Sequence, residues 1–129
     1  MKFKLSKAAK HQLRIASVHL ELGDTPKGFR RFRSTVRPRL DAFYHRELGL
    51  VVKKPKFIMD PRTPLKLRVP TIALGMGWVA QPLTHKILLK LAMFHLSPEL
   101  AKCHARGIRP DAHTGNVGWY DGKAVLFDW

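Results

Sequence analysis

Cysteine and long apolar runs are scarce in this sequence of 129 residues. Cys103 is the only cysteine, so no disulfide can form within the chain. This fits a reducing cytoplasm, which would be the host cytoplasm for a viral protein. No run approaches the roughly 20 apolar residues that a membrane-spanning helix needs, so no membrane span is expected.

Acidic residues are also scarce, at 9 against 24 lysines and arginines, which gives a formal net charge of +15. A field of this sign attracts polyanions, including nucleic acids, nucleotides and acidic proteins. Hydrophobic residues make up 45% of the chain, which favours a globular fold over disorder. The composition does not distinguish among these partners, so the partner must be inferred from sequence motifs.

Residues 1–40 form a basic segment that is predicted to be helical. Apolar residues recur at the helical period over 3–22, and a Gly-Asp pair followed by a proline ends that helix. The next stretch, 27–39, carries six positive charges interleaved with two phenylalanines and is either a short helix with a solvated face or a contact surface for phosphates. In the second interpretation, the residues that dock a polyanion or partner are Arg30, Arg31, Arg33, Arg37 and Arg39.

The middle of the chain has the pattern of β-strands. A β-hairpin is predicted over 41–58, where two β-rich runs flank a possible turn at 47–49. Further strands are predicted over 69–74 and 78–83, joined by a glycine-containing turn.

The last third combines helices with a short hairpin, which makes the predicted fold class α+β. One helix is expected over 84–96, and a second to about residue 106, with Ser97 as its N-cap and Pro98 at its first position. An Asp-Gly turn signal then lies between two short apolar runs, over 117–127.

Three polar residues near the end of the chain have a spacing typical of phosphotransferases. Asp111 precedes Asn116 by five residues, and Asp128 follows Asn116 by twelve. Protein kinases place a catalytic-loop aspartate and a metal-binding asparagine at the same spacing, before a later metal-binding aspartate. Mg²⁺ prefers oxygen ligands, so Asn116 and Asp128 are predicted to hold it. Asp111 is predicted to orient or deprotonate an acceptor hydroxyl.

The segment Asp-x-His-x-Gly-Asn-Val at 111–117, followed by an apolar strand and Asp-Trp, resembles the aminoglycoside phosphotransferase and choline-kinase-like group. Weaker matches extend the resemblance back to about residue 43. The resemblance implies a reduced protein-kinase-like fold over 41–129, with a small β-rich lobe and a truncated helical lobe, preceded by the basic helical segment 1–40.

The resemblance also implies a cofactor, ATP with Mg²⁺, bound between the two lobes. Lys53 matches the phosphate-binding lysine, and Lys54 takes its place if the register differs by one. The backbone near Ala80 and Gln81 matches the hinge that meets adenine. His113 is predicted to brace the loop by hydrogen bonds to its backbone rather than to act as a catalyst.

Several kinase features have no counterpart in the sequence. No glycine-rich loop precedes residue 43, Arg109 replaces the usual histidine, and Asp60 is the only acid between Lys53 and the hinge strands. The activation segment and the helical substrate-binding part are also missing. Either another chain supplies the acceptor site, or the reduced fold does something else.

Three functions therefore stay open. The first is a minimal kinase-like enzyme acting on an unknown acceptor. The second is a weak or inactive kinase-like protein, a pseudokinase, that binds or inhibits an acidic protein. The third is a basic nucleic-acid-binding protein. Small, highly basic proteins with reduced folds are common among phage products. Nucleotide binding with and without Mg²⁺, measured at two salt concentrations, would separate the three functions.

Overall fold

The computed structural model describes residues 5–32, 42–55, 60–110, 112 and 116–127. These residues contain two α-helices and two antiparallel β-sheets, which confirms the predicted α+β class. The chain divides into two compact units: a sheet unit, Lys2–Pro55 with Thr71–Leu83, and a helical unit, Lys56–Pro70 with Thr84–Trp129. The boundary predicted after residue 40 lies outside the described residues. In the described part of the chain, neither helix is long and apolar enough to cross a membrane.

The sheet unit consists of one helix and a five-stranded antiparallel sheet with the strand order β1-β2-β3-β5-β4. Its elements are α1 (Lys7–Glu21), β1 (Arg30–Arg31), β2 (Ala42–His45), β3 (Leu50–Lys53), β4 (Ile72–Gly75) and β5 (Trp78–Pro82).

Helix α1 is the predicted N-terminal helix, and it begins where a cap is available. The hydroxyl oxygen of Ser6 accepts a hydrogen bond from the Ala9 N–H at 3.1 Å, which satisfies one of the free donors of the first turn. The buried face of the helix packs into the core of the sheet unit and consists of Ala9, Leu13, Ala16 and Leu20. This spacing of three and four residues is the apolar pattern that predicted the helix.

The predicted hairpin is confirmed as β2 and β3, joined by a turn at 46–49 in which Gly49 has a φ of +63°. Val52 lies opposite Phe43 of β2 and Ala80 of β5, and all three belong to the core that also includes the buried face of α1. Since side chains alternate along a strand, Lys53 lies on the opposite face of the sheet.

The prediction of a short helix in the basic stretch 27–39 is wrong for residues 27–32, which are the part of that stretch that the structure describes. Arg30 and Arg31 form strand β1 and pair with Tyr44 and Phe43 of β2. Phe29, which precedes them, is buried with its ring edge-on to His45, at a centroid distance of 5.2 Å. The burial of this aromatic ring fixes the chain beside β2, where a two-residue strand can form.

The helical unit contains a 3-10 helix (Leu65–Leu67), α2 (Leu89–Ala105), β6 (Val117–Tyr120) and β7 (Lys123–Leu126). Strands β6 and β7 form the predicted hairpin, and its turn has positive φ angles of 51° at Asp121 and 77° at Gly122. Two consecutive residues with positive φ are typical of the hairpin turns that Asp-Gly favours. The apolar side of this unit is formed by α2, the hairpin and Leu67.

The two helices predicted over 84–106 are one helix, so this prediction is wrong. Residues 84–88 are not helical, and His85 exchanges two backbone hydrogen bonds with Trp119, both at 2.9 Å. Ser97 is not a cap, because its hydroxyl donates to the carbonyl of Met93. One buried stripe runs past Pro98 and consists of Ala92, Leu96, Leu100 and Cys103. Its burial outweighs the single backbone hydrogen bond that an internal proline removes on the exposed side.

Candidate functional site

The structure describes five of the eight residues predicted to take part in the nucleotide and metal site. Lys53, Lys54, Ala80 and Gln81 lie in the sheet unit, and Asn116 lies in the helical unit. The other three residues, Asp111, His113 and Asp128, lie outside the described residues. So do three of the five predicted docking arginines, Arg33, Arg37 and Arg39.

Lys53 is the last residue of β3, and its side chain is buried, with an exposed fraction of 1%. It lies opposite Ala42 of β2 and Val79 of β5, so strands flank it on both sides. Lysine is almost never fully buried unless its charge is compensated, because burying an ammonium group is costly. A buried lysine at a fixed position in a sheet is therefore a candidate for a functional group.

Lys54, the alternative phosphate-binding lysine, has a different environment. It follows the strand and is exposed. Its Cε lies 3.2 Å from the point that a Cβ at Gly77 would occupy, so the aliphatic stem runs along the β4–β5 turn. A long stem against the protein with an accessible head is the usual arrangement of a surface lysine. Of these two adjacent lysines, only Lys53 has a buried side chain, which is what we expect of a residue in a binding site.

The two residues matched to the adenine-binding hinge lie within β5. Ala80 is fully buried and lies opposite both Val52 of β3 and Ile72 of β4. Its backbone groups therefore face neighbouring strands. The side-chain amide of Gln81 donates to the Thr71 hydroxyl at 2.9 Å. The N–H of Leu83 donates to the Gly49 carbonyl at 2.8 Å.

Asp60 is the only acid between Lys53 and the hinge strands, and its carboxylate binds Arg62. One oxygen lies 2.8 Å from Nη2 of Arg62, and the other accepts from Nε at 3.1 Å and from the backbone N–H at 2.9 Å. Hydrogen bonds from the guanidinium hold the pKa of the Asp60 carboxyl below its ordinary value. Among the described residues no aspartate or glutamate is buried, and the buried face of α1 is apolar.

Asn116 lies at the open end of the β6–β7 hairpin and is buried, with an exposed fraction of 7%. Its backbone carbonyl accepts a hydrogen bond from the Phe127 N–H at 3.0 Å, next to the first ladder pair, Val117 with Leu126. The hairpin therefore brings Asn116 opposite Phe127, and Asp128, which is the next residue in the sequence, lies outside the described residues.

The described residues on either side of Asp111 and His113 are well anchored. Helix α2 ends before Gly107, whose φ of +75° suits the left-handed conformation that ends many helices. Ile108 then donates its N–H to the Cys103 carbonyl at 2.9 Å and buries its side chain in the core of the helical unit. Buried residues, Ile108 and Asn116, therefore lie before and after the part of the sequence that contains Asp111 and His113.

The structure also reveals a polar cleft of about 380 Å³ at the end of β1 and β2 that the sequence did not indicate as a unit. Arg30 and Arg46 line it, and both are exposed. Nδ1 of His45, another lining residue, accepts the Leu48 N–H at 3.2 Å, so the proton of the neutral imidazole is on Nε2. Arg46 was missed because it lies in a turn, outside the basic stretch, and only the strand pairing brings it near Arg30.

The candidate residues thus fall into two sets with separate structural settings. The sheet unit supplies a buried lysine, and the helical unit supplies a buried asparagine at a hairpin end. The chain matches no protein-family model, no curated protein and no solved structure, so the sequence motifs and this geometry carry the argument for function.

Proposed function

We propose that the protein is a minimal kinase-like protein that binds ATP with Mg²⁺. The observation that carries the proposal is the burial of Lys53 on the third strand of a five-stranded antiparallel sheet. Protein kinases carry their phosphate-binding lysine on the third strand of the small lobe. Lys53 therefore matches the kinase pattern in residue type and in strand, whereas Lys54, which follows the strand, matches it in residue type alone.

The hairpin of the helical unit supports the metal-binding part of the proposal. Mg²⁺ binds through oxygen ligands and keeps several waters, so one amide and one carboxylate are a suitable protein contribution. Asn116 precedes one strand of the hairpin, and Asp128 follows the residue that pairs with it. This register favours Asn116 and Asp128 as a pair of ligands over two unrelated loop residues.

Each proposed residue has a distinct role. Lys53 would bind phosphate oxygens, Asn116 and Asp128 would hold the metal, and Asp111 would orient the acceptor hydroxyl. ATP would supply the phosphoryl group, and Mg²⁺ would offset the charge of its phosphates. The proposal includes no hydrogen bond from Ala80 to adenine, because the backbone of Ala80 faces strands on both sides.

The test of this proposal is the thermal stability of the protein with ATP. ATP is expected to raise the melting temperature only when Mg²⁺ is present, because a ligand of the native state stabilises it by mass action. Asp128→Ala should abolish the rise and leave the circular dichroism spectrum unchanged. Asp24→Ala, which removes an exposed carboxylate near the end of α1, is the matched control. A rise of the same size in Asp128→Ala would remove the metal assignment.

The basic edge of the sheet supports a second candidate function, the binding of an acidic protein or a nucleic acid, as in a pseudokinase that acts as a binding protein. Arg30 and Arg31 are both exposed on the edge strand β1. Charged side chains protect an edge strand, so they also have a structural reason to be there. Phosphate-rich partners would bind such a surface in a strongly salt-dependent way.

For this candidate, replacing Arg30, Arg31 and Arg33 by alanine should weaken binding to labelled nucleic acid or to an acidic protein. If the ligand is nucleic acid, the slope of log affinity against log salt should fall by about one for each lost phosphate contact. The control removes three exposed charges of the helical unit, Lys86, Lys90 and Arg106. Equal affinity and equal salt slopes in both triple variants would mean that the arginines are only a solvated face.

A further inference from the structure

Strand β4 has an edge at which a further strand could pair. It is the last strand of the sheet and pairs with β5 on one side. None of the described residues pairs with its other side. Its sequence, Ile72-Ala-Leu-Gly75, contains neither a charged residue nor a proline, which are two of the usual means of blocking an edge strand. Its pairing with β5 shifts register between Ala73 and Gly75. Within the described part of the chain, this edge has no strand partner, so an added strand could pair with its backbone groups.

A cleft of about 360 Å³ lies alongside this edge, between β4 and α1. Its apolar lining comes from both elements: Leu13 of α1 is buried, and Ile72 and Leu74 of β4 are half-buried. Ala73, between them, is exposed. Side chains of an extended peptide alternate between two faces, so every second one could contact this apolar lining.

The helix wall of the cleft is positively charged. Lys10 and Arg14 lie one turn apart on α1, line the cleft and are exposed. Neither has a carboxylate within ion-pair distance among the described residues. Ser17, one turn further on, already donates its hydroxyl to the Leu13 carbonyl at 2.9 Å. The free polar groups of this wall are therefore cations.

We propose that the cleft between α1 and β4 binds an extended acidic peptide of a partner protein, which pairs with β4 as an added strand. Its backbone would bond to the free edge, its apolar side chains would contact Leu13, Ile72 and Leu74, and its carboxylates would bind Lys10 and Arg14. A second copy of this chain fits poorly, because the net charge of +15 repels it. The proposal is independent of nucleotide binding.

The first experiment tests the charged wall. The probe is a fluorescein-labelled peptide of about eight residues, a typical strand length. Valine and glutamate take turns at its odd positions and threonine fills its even positions, so that apolar and acidic side chains share one face. Its anisotropy is measured at low salt. Lys10→Glu with Arg14→Glu should weaken binding at least about tenfold. Lys86→Glu with Lys90→Glu changes the net charge by the same amount on two exposed lysines of the helical unit and should bind as the wild type does. Equal loss in both variants would overturn the proposal.

The second experiment tests strand pairing. Two versions of the peptide, N-methylated at the odd or at the even positions, keep the charge but lose alternate backbone donors. At least one methylated version should bind about tenfold more weakly than the unmodified peptide, or weaker still. In a separate measurement, the unmodified peptide should slow hydrogen exchange of the backbone amides along Ile72–Gly75. Full binding by both versions, or unchanged exchange at β4, would overturn strand addition. A DNA oligonucleotide that binds the wild type more tightly and displaces the peptide would instead identify a nucleic-acid surface.

Discussion

Replacing Lys53 by methionine is expected to remove the rise in thermal stability that Mg²⁺ and ATP give to the wild type. Methionine keeps an unbranched stem in the buried position but carries no charge for the phosphates. At an ATP concentration of 100 times the dissociation constant, binding stabilises the native state by about 2.7 kcal/mol. For a chain of this length, the melting temperature would rise by roughly 10 °C, and the variant should lose nearly all of this rise.

Lys54→Met is the matched control, because it removes the neighbouring charge from an exposed position. It should keep the full ATP-dependent rise. Circular dichroism without nucleotide establishes that each variant is folded before the comparison is made. A rise that survives in Lys53→Met and disappears in Lys54→Met would exchange the roles of the two lysines, and a rise that survives in both would exclude them.

Replacing Gly118 by alanine is expected to destabilise the protein by about 1–3 kcal/mol or more, as overpacking does in tightly packed interiors. Gly118 lies in the middle of β6, and its φ is not in the positive range, so the backbone itself would accept alanine. A Cβ there would overlap with Oγ1 of Thr84 and would lie 2.6 Å from its Cβ. Urea unfolding of the variant and the wild type measures the loss.

Thr84→Gly provides the control for this steric explanation. In that background both clashing atoms are gone, so adding Gly118→Ala should cost much less than it does in the wild type. The double-mutant cycle reports the difference as a coupling energy between the two positions. A cost that is the same in both backgrounds, or no cost in the wild type, would show that Thr84 does not limit the space at Gly118.

Turns were the part of the fold that could be predicted best, because their conformation depends on local residue chemistry. Asp121-Gly122 favours positive φ at two consecutive positions, and both residues have it. Once that turn is fixed, the register of β6 and β7 follows residue by residue. The pairing of Asn116 with Phe127 could therefore be derived from the sequence, and with it the relation of Asn116 to the segment that leads to Asp128.

Elements whose shape depends on distant contacts could not be predicted in the same way. Ser97-Pro98 has the local chemistry of a helix start, but the stripe from Ala92 to Cys103 is buried as a unit and carries α2 through the proline. Arg30 and Arg31 belong to a charged stretch, yet pairing with β2 makes them a strand. In both places tertiary packing outweighed the local preference.

In the candidate sites too, some features depend on local sequence and others depend on contacts between distant residues. Lys53 and Lys54 are adjacent and chemically identical, and only the strand register shows that one is buried and the other exposed. The cleft of Lys10 and Arg14 could not be foreseen, because strand order brings β4 to the edge of the sheet and α1 beside it. A sequence pattern specifies which face of a strand is buried, but it does not specify which strand lies at the edge.

The most direct test of metal binding replaces Mg²⁺ with Mn²⁺, whose unpaired electrons broaden nearby resonances in NMR spectra. The β6–β7 hairpin spans roughly 13 Å at about 3.3 Å per residue. Because the broadening falls steeply with distance from the ion, the end nearer the metal should lose intensity at a lower Mn²⁺ concentration than the far end. With ATP and substoichiometric Mn²⁺, the amide resonances of Asn116, Val117 and Phe127 are expected to lose intensity before those of Tyr120 to Lys123 at the turn. Loss of intensity at the turn first, or the same loss at both ends, would contradict a metal site at Asn116.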